Sequence, residues 1–276
     1  MSQELLDTAV QAARAGAEVL RRHFRAAGLQ VQAKSDHDFV TEADHESEAR
    51  IVEHIRRRHP EHHILAEESG HDDRGESELE WLIDPLDGTR NFLQGLPIFC
   101  ISVACRQASG EVLAGAVLDP LGDNLFTAVR GAGAHWNGRP MRCSTRATLD
   151  GAYLATGYPF RARDALDTYL AVFRSVFLRA RALRRCGAAA LDLAYTAAGV
   201  FDGFFEFRLS PWDFAAGVLL IREAGGRVTD LDGGDDFFRG GNLVAGSEGL
   251  HADLLRTVRG HADEAELDRL DPPRNN

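Results

Sequence analysis

Apolar positions in the first part of the chain recur at helical spacing. Leu6, Val10, Ala13, Ala17, Leu20 and Phe24 stand three or four residues apart, which predicts an amphipathic helix over residues 4–27 with Gly28 as its stop. A second helix is predicted over 43–58. Ile51, Val52 and Ile55 lie on its apolar side, Thr41 or Asp44 at its start, and Pro60 just beyond its end. Short apolar runs then predict strands at 63–66, 81–83, 98–106, 112–118 and 125–129, with 131–136 continuing the β character. The residues Asp119, Pro120, Leu121 and Gly122 between two of these runs predict a hairpin. Residues 69–80 are polar and contain glycine, so they read as a mobile surface loop. Later the pattern alternates. Helices are predicted at 166–179, 188–198 (ended by Gly199), 213–224 and 250–258; strands are predicted at 182–185, 202–207, 226–229 and 242–245. Two halves, 1–150 and 151–270, with a loose tail at 271–276, are expected although no linker separates them.

Composition narrows the class. Of 276 residues, 44% are hydrophobic and 26% charged, enough to bury a sizeable core and solvate a surface. The formal net charge of −11 argues against a general nucleic-acid binder, which needs a positive face. It also conflicts with binding a phosphate ester, unless clustered carboxylates hold divalent cations and the cations hold the phosphate. Cys100, Cys105, Cys143 and Cys186 form no C-x-x-C pair. There is no secretory opening and no apolar run of membrane-spanning length. A cytoplasmic protein with reduced thiols is expected.

Chemistry concentrates in Ile83-Asp84-Pro85-Leu86-Asp87-Gly88-Thr89, where a hydrophobic strand delivers two aspartates into a turn. Pro85 fixes one backbone angle, and Gly88 allows close approach to a ligand. If Thr89 and Asn91 open a helix, the Gly88 and Thr89 amides face an anion. Hard oxygen donors, including the Leu86 carbonyl, then adjoin a phosphate cradle. Alone, the stretch reads equally as a strand end with Asp-Pro and Asp-Gly turns. Glu67 and Glu68 read alone as a solvated loop, and Asp213 as a helix N-cap. In residues 38–44 capping competes with catalysis.

Taken together, these segments resemble the inositol monophosphatase family of lithium-sensitive, Mg²⁺-dependent phosphatases. The matching stretches are 38–44 (DFVTEAD), 64–69 (ILAEES), 81–97 (WLIDPLDGTRNFLQGLP), 187–206 (GAAALDLAYTAAGVFDGFFE) and 212–226 (WDFAAGVLLIREAGG), and the likeness runs from the first helix to about Gly246. It implies an α+β or α/β fold layered as an α/β/α/β/α sandwich. It implies that Glu67, Asp84 and the Leu86 carbonyl hold one Mg²⁺, that Asp84, Asp87 and Asp213 hold a second, and that a weaker third ion sits near Glu67. Thr89, hydrogen-bonded to Asp44, would act with Glu67 on a water that attacks phosphorus in line. Asp87, Gly88, Thr89, Gly187, Ala188, Glu206 and Asp213 would contact substrate. Lys34 would stand near the metals or on the surface. The resemblance further implies a homodimer acting on a phosphorylated polyol such as myo-inositol 1-phosphate; the apolar pattern and the acidic charge argue against a membrane or a nucleic acid as partner. Fructose-1,6-bisphosphatase, histidinol-phosphatase and 3′-phosphoadenosine-5′-phosphate phosphatase activities are enzyme alternatives. A different class is also implied, because some bacterial relatives are regulators associated with the transcription machinery.

Departures from the family pattern bear on substrate choice. Ala188 stands where Ser or Thr is frequent, and Arg90 and Gln94 where Thr or Lys and His are frequent. Other signals are read as structural. His59, His62 and His63 near Glu61 lack zinc-site spacing; His71, Asp72 and Asp73 fit a surface loop. Arg179, Arg181, Arg184 and Arg185 are expected to form ion pairs or a subunit contact. The run Gly131-Ala132-Gly133-Ala134 lacks the context of a dinucleotide loop.

Overall fold

The computed structural model describes residues 2–26, 31–35, 38–74, 76–158 and 163–260, with the side chains of 31–35, 38, 39 and 163 outside that description. Gly28, the Lys34 side chain and the tail at 271–276 therefore lie outside the described residues.

The first layer is α1 (Ser2–His23) against α2 (Glu42–Arg58). Thr41 caps α2: its hydroxyl accepts from the Ala43 and Asp44 amides, and the Asp44 carboxylate accepts from the Thr41 amide. Both candidate start residues thus serve in one capping box. A short hairpin, β1 (Val31–Ser35) with β2 (Asp38–Thr41), joins the two helices.

The second layer is a sheet of eight strands. These are β3 (His63–Ala66), β4 (Gly70–Asp72), β5 (Leu79–Asp87), β6 (Cys100–Gln107), β7 (Val112–Asp119), β8 (Asn124–Val129), β9 (Gly133–Trp136) and β10 (Arg139–Pro140), in the order β10-β9-β8-β7-β6-β5-β3-β4. Within this sheet, among the described residues, only β3 and β5 pair in parallel. The short helix α3 (Thr89–Leu93) follows β5. The expected hairpin joins β7 to β8, with Leu118 opposite Leu125. The segment 69–80, read as a loop, instead contains β4 and the start of β5. An edge strand as polar as Gly70–Asp72 carries no hydrophobic alternation, so its pattern gave no sign of pairing.

The other sheet has five strands: β11 (Tyr153–Thr156), β12 (Ala182–Arg184), β13 (Gly203–Glu206), β14 (Arg227–Thr229) and β15 (Leu243–Gly246), in the order β12-β11-β13-β15-β14. Between the sheets lie α5 (Ala189–Ala197) and α6 (Pro211–Glu223). Residues 213–221 of α6 are all buried, as expected for a helix covered on every side. Its Gly217 is a packing glycine: a Cβ there would stand 2.5 Å from the Leu193 Cβ of α5. The outer layer is α4 (Leu166–Phe177) and α8 (Glu248–Arg259), with the short α7 (Phe237–Gly240) before β15.

Three cores hold the layers together. Leu5, Ala13 and Leu20 of α1 pack with Ile51 and Ile55 of α2 on Trp81, Ile83, Ile101 and Val103. The alternate strand residues Leu82, Cys100 and Ala104 face α5 and α6, which also cover Phe204 and Leu243 of the five-stranded sheet. On that sheet's far face Leu154, Phe205 and Val244 meet Tyr169, Val172, Leu250 and Leu254. The order is the α/β/α/β/α sandwich expected from the sequence.

Candidate active site

The aspartates of β5 reach one cleft because the strand is bulged. Asp84 pairs with Ser102 and Asp87 with Cys100, so three steps on β5 oppose two on β6. The stretch read as turns is a bulged strand end, with the Leu86 amide donating to Asp84 Oδ1 at 3.0 Å. Gly88 follows at φ 98°, a left-handed conformation that favours glycine, and begins α3. A Cβ at Gly88 would also come within 3.0 Å of the Ile98 carbonyl.

Other elements converge on this point. The Glu67 amide donates to the Ile83 carbonyl at 3.1 Å, docking the end of β3 beside β5. The next two amides, of Glu68 and Ser69, donate to the buried Glu48 carboxylate at 2.9 Å each. Glu48 was not singled out in the sequence, although it follows the 38–44 stretch on the same helix. The Thr89 hydroxyl lies 3.3 Å from Asp44 Oδ1 and 3.0 Å from the Leu86 carbonyl, and can donate to either. Asp44 is fully buried behind Thr89 and outside the cleft lining. Asp213 is third in α6 and accepts from the Ser210 amide at 2.7 Å, so it caps the helix and also faces the cleft. Asp87 Oδ2 accepts from the Ala190 amide of α5 at 2.7 Å.

The cleft encloses about 310 Å³. Glu67, Asp84, Leu86, Asp87, Gly88, Thr89, Gly187, Ala188, Glu206 and Asp213 all line it. It also takes in residues that the sequence did not reveal: Thr156, Gly157 and Tyr158 after β11, Asp192 on α5, and Arg208. Arg90 lines it too. The Arg179–Arg185 series is not one patch. Arg179 binds Asp150 and Asp253, whereas Arg185 lies in the cleft with its guanidinium 5.2 Å from the Tyr158 ring centre.

Electrostatics single out the carboxyl cluster. Desolvation raises Asp84 well above the usual carboxylate range, and the charges of Glu67, Asp87 and Asp213 raise it further. Burial, then the charge of Asp213, pushes Asp87 up to about 7, against the stabilising Ala190 amide. Glu206 is raised by burial and by Asp192, Asp213 and Asp87. A carboxyl cluster that resists ionisation in this way has too little positive charge around it to balance its own negative charge. Its donors are all oxygens, which suits Mg²⁺. Among the described residues no three His, Cys, Asp or Glu side chains already form a finished ligand set. A Mg²⁺ shell does not require one, since the ion keeps several waters and here has the Leu86 carbonyl beside it.

The histidines near residue 60 are structural. The His59 and His62 rings stack with centres 4.6 Å apart, and Trp81 Nε1 donates to His62 Nδ1 at 3.1 Å. Burial holds His62 down to about 4, which keeps it a neutral acceptor.

The two-sheet sandwich, with its acidic oxygen-donor cleft beside a helix start, is the fold of solved inositol monophosphatases. The chain belongs to the inositol monophosphatase family, whose model matches residues 1–263. Among its relatives, Nus factor SuhB of Salmonella typhimurium is 44% identical over 95% of this chain and 98% of its own. Nus factor SuhB of Pseudomonas aeruginosa is 46% identical over 94% and 97%. Among solved structures, the extragenic suppressor protein suhB from Bartonella henselae superposes with a TM-score of 0.88, at 42% identity over 93% of this chain and 98% of that one. The inositol monophosphatase from Anabaena (Nostoc) gives 0.84 at 37% identity over 95% and 98%. Among the described residues no helix is long and apolar enough to cross a membrane, and all four cysteines are free thiols.

Proposed function

We propose that the protein is a cytoplasmic, Mg²⁺-dependent phosphomonoesterase acting on a phosphorylated polyol, with myo-inositol 1-phosphate as the leading substrate. The observation that carries this reading is the meeting of Glu67, Asp84, Asp87 and Asp213 in one cleft with the Gly88–Thr89 helix start. Glu67, Asp84 and the Leu86 carbonyl would hold one ion, and Asp84, Asp87 and Asp213 a second; Glu67 would also serve a weaker third. When bound, Mg²⁺ supplies positive charge for the phosphoryl oxygens and lowers the pKa of coordinated water.

The chain's own residues supply the rest. With its hydroxyl proton directed to Asp44, Thr89 Oγ1 presents a lone pair to a water in the cleft. Glu67 stands in the same cleft to take a proton from that water. The Gly88 and Thr89 amides would hold phosphoryl oxygens as charge develops. Glu206, with the backbone at Gly187 and Ala188, would receive the alcohol portion, a carboxylate being a strong acceptor for hydroxyls. A homodimer is part of the proposal. Its support is an exposed apolar stripe on the outer layer, Leu166, Leu170 and Phe177 with Leu178 beyond. Light scattering across a dilution series tests it.

The test of activity is phosphate release from myo-inositol 1-phosphate, fructose 1,6-bisphosphate, histidinol phosphate and 3′-phosphoadenosine 5′-phosphate, with and without Mg²⁺. Mg²⁺-dependent turnover highest on the inositol ester and lost in D87N supports the full reading; preference for another ester changes the substrate alone. A second reading, a regulatory binding role, is favoured by the relatives named Nus factor SuhB at 41–46% identity. Those names also leave the expected absence of a nucleic-acid partner without support. Co-purification of D84N with transcription complexes would separate binding from catalysis.

A further inference from the structure

Gly157 follows β11 directly, and in the parallel pairing of β11 with β13 Thr156 lies opposite Phe205. The next pair in that register is Gly157 and Glu206. A Cβ added to Gly157 would fall on the Glu206 carboxylate, overlapping both its oxygens and its Cδ. The backbone at Gly157 is not in the left-handed region that favours glycine. What glycine leaves here is space: the Glu206 carboxylate is folded across the end of β11 and occupies the volume a side chain at 157 would fill, so it is the carboxylate that must move if one is added. Both residues line the cleft, and Tyr158, next along, stacks on Arg185.

We propose that Gly157 is a positioning residue for the alcohol subsite, whose missing side chain holds the Glu206 carboxylate where it accepts a substrate hydroxyl. This rests on the polyol-phosphatase reading above. In G157A the carboxylate must withdraw by roughly 1–2 Å to regain van der Waals separation, enough to break a hydrogen bond. A substrate carrying hydroxyls suffers; one without them does not call on Glu206.

Steady-state kinetics with Mg²⁺ on myo-inositol 1-phosphate and on p-nitrophenyl phosphate test this in G157A, E206A and the double variant. The expected result is a rise of about tenfold in the ratio of the two KM values for G157A, the cost of one hydrogen bond. E206A should raise the same ratio, and G157A should add nothing in the E206A background. The shorter carboxylate of G157A/E206D should recover part of the loss. An unchanged ratio in G157A, or single effects that multiply in G157A/E206A, overturns the inference. If the wild-type protein hydrolyses neither ester, the function reading fails while the positioning remains testable in thermal melts. G157A should then lower the Tm of the wild-type protein but not of E206A, and an equal drop in both backgrounds overturns it.

Discussion

Replacing Asp87 by Asn should stabilise the metal-free protein at alkaline pH and weaken its response to Mg²⁺. The Asp87 carboxyl is pushed from an ordinary 3.8 up to about 7 by burial and the charge of Asp213. A raised carboxyl favours the folded state only while it keeps its proton. Below about pH 4 it costs nothing. Between pH 4 and 7 the unfolded chain ionises first and stability falls; above 7 the loss is complete. A displacement of about three pH units corresponds to ~4 kcal/mol at 1.36 kcal/mol per unit. Asn carries no charge and its carbonyl can still accept from the Ala190 amide, so most of that cost should disappear.

In EDTA at pH 8, D87N should therefore melt higher than the wild-type protein. At 2–4 °C per kcal/mol for a chain of this size, the full ~4 kcal/mol corresponds to about 8–16 °C. At pH 4.5 most of that difference should be gone. With Mg²⁺ at 100 times its Kd the wild-type protein should gain about 2.7 kcal/mol by mass action, and D87N much less. Calorimetry over pH 4.5–8.5, with EDTA and with Mg²⁺, reads both effects. If D87N is less stable in EDTA at pH 8 by an amount that does not change with pH, the carboxyl cluster is not strained by its own charge and the argument fails.

Three further outcomes follow from the same geometry. E67Q should lower kcat on the preferred ester by about 10²–10⁴ while retaining the wild-type circular dichroism, since a positioned proton acceptor is worth about that much; a loss below threefold would remove Glu67 from the chemistry. D253A should cost about 2–4 kcal/mol in urea unfolding, because Asp253 receives Arg179 at 2.7 and 3.0 Å and the Leu149 amide at 2.9 Å. Arg179 holds the Asp253 carboxyl down to about 2, so its contribution is full above about pH 4 and declines as pH falls towards 2; D253A should lack that acid-side slope. Inorganic phosphate should bind measurably by calorimetry only with Mg²⁺ present, and phosphate should tighten Mg²⁺ by the same factor; equal binding in EDTA would contradict the role given to the carboxylates.

The central strands β6 to β8 were legible because they are apolar runs joined by short turns, and their registers follow from local hairpins. β11 escaped notice. It has four residues, and both its partners, β12 and β13, are parallel strands from later in the chain, so no local turn marks it. The cost of missing β11 falls on the site. Thr156, Gly157 and Tyr158 are brought to the cleft only by that distant pairing. Asp84 and Asp87 stood out as two aspartates at a strand end, whereas Glu67, which alone reads as a solvated loop, became a candidate only through the family resemblance. Asp213 was ambiguous between cap and ligand, and its position serves both. The four arginines from 179 to 185 read as one surface, but they do not share an element: Arg179 lies in the turn after α4 and reaches Asp253, whereas Arg185 lies just past β12 and lines the cleft.

The acidic balance of the chain, which seemed opposed to a phosphate substrate, is concentrated where that conflict is sharpest. Six carboxyl residues line the cleft, Glu67, Asp84, Asp87, Asp192, Glu206 and Asp213, against the three guanidinium groups of Arg90, Arg185 and Arg208. With all ionised, the cleft carries an excess of three negative charges and repels a phosphate dianion. Two divalent cations reverse that sign, leaving a small positive excess next to the Gly88 and Thr89 amides. The raised Asp84 and Asp87 show that the bare cluster resists its own charge, so the fold holds these groups together at a cost that cation binding removes. A protein that only docked onto a partner would gain nothing from keeping such a cluster buried. The carboxylates thus favour the catalytic reading proposed for the cleft.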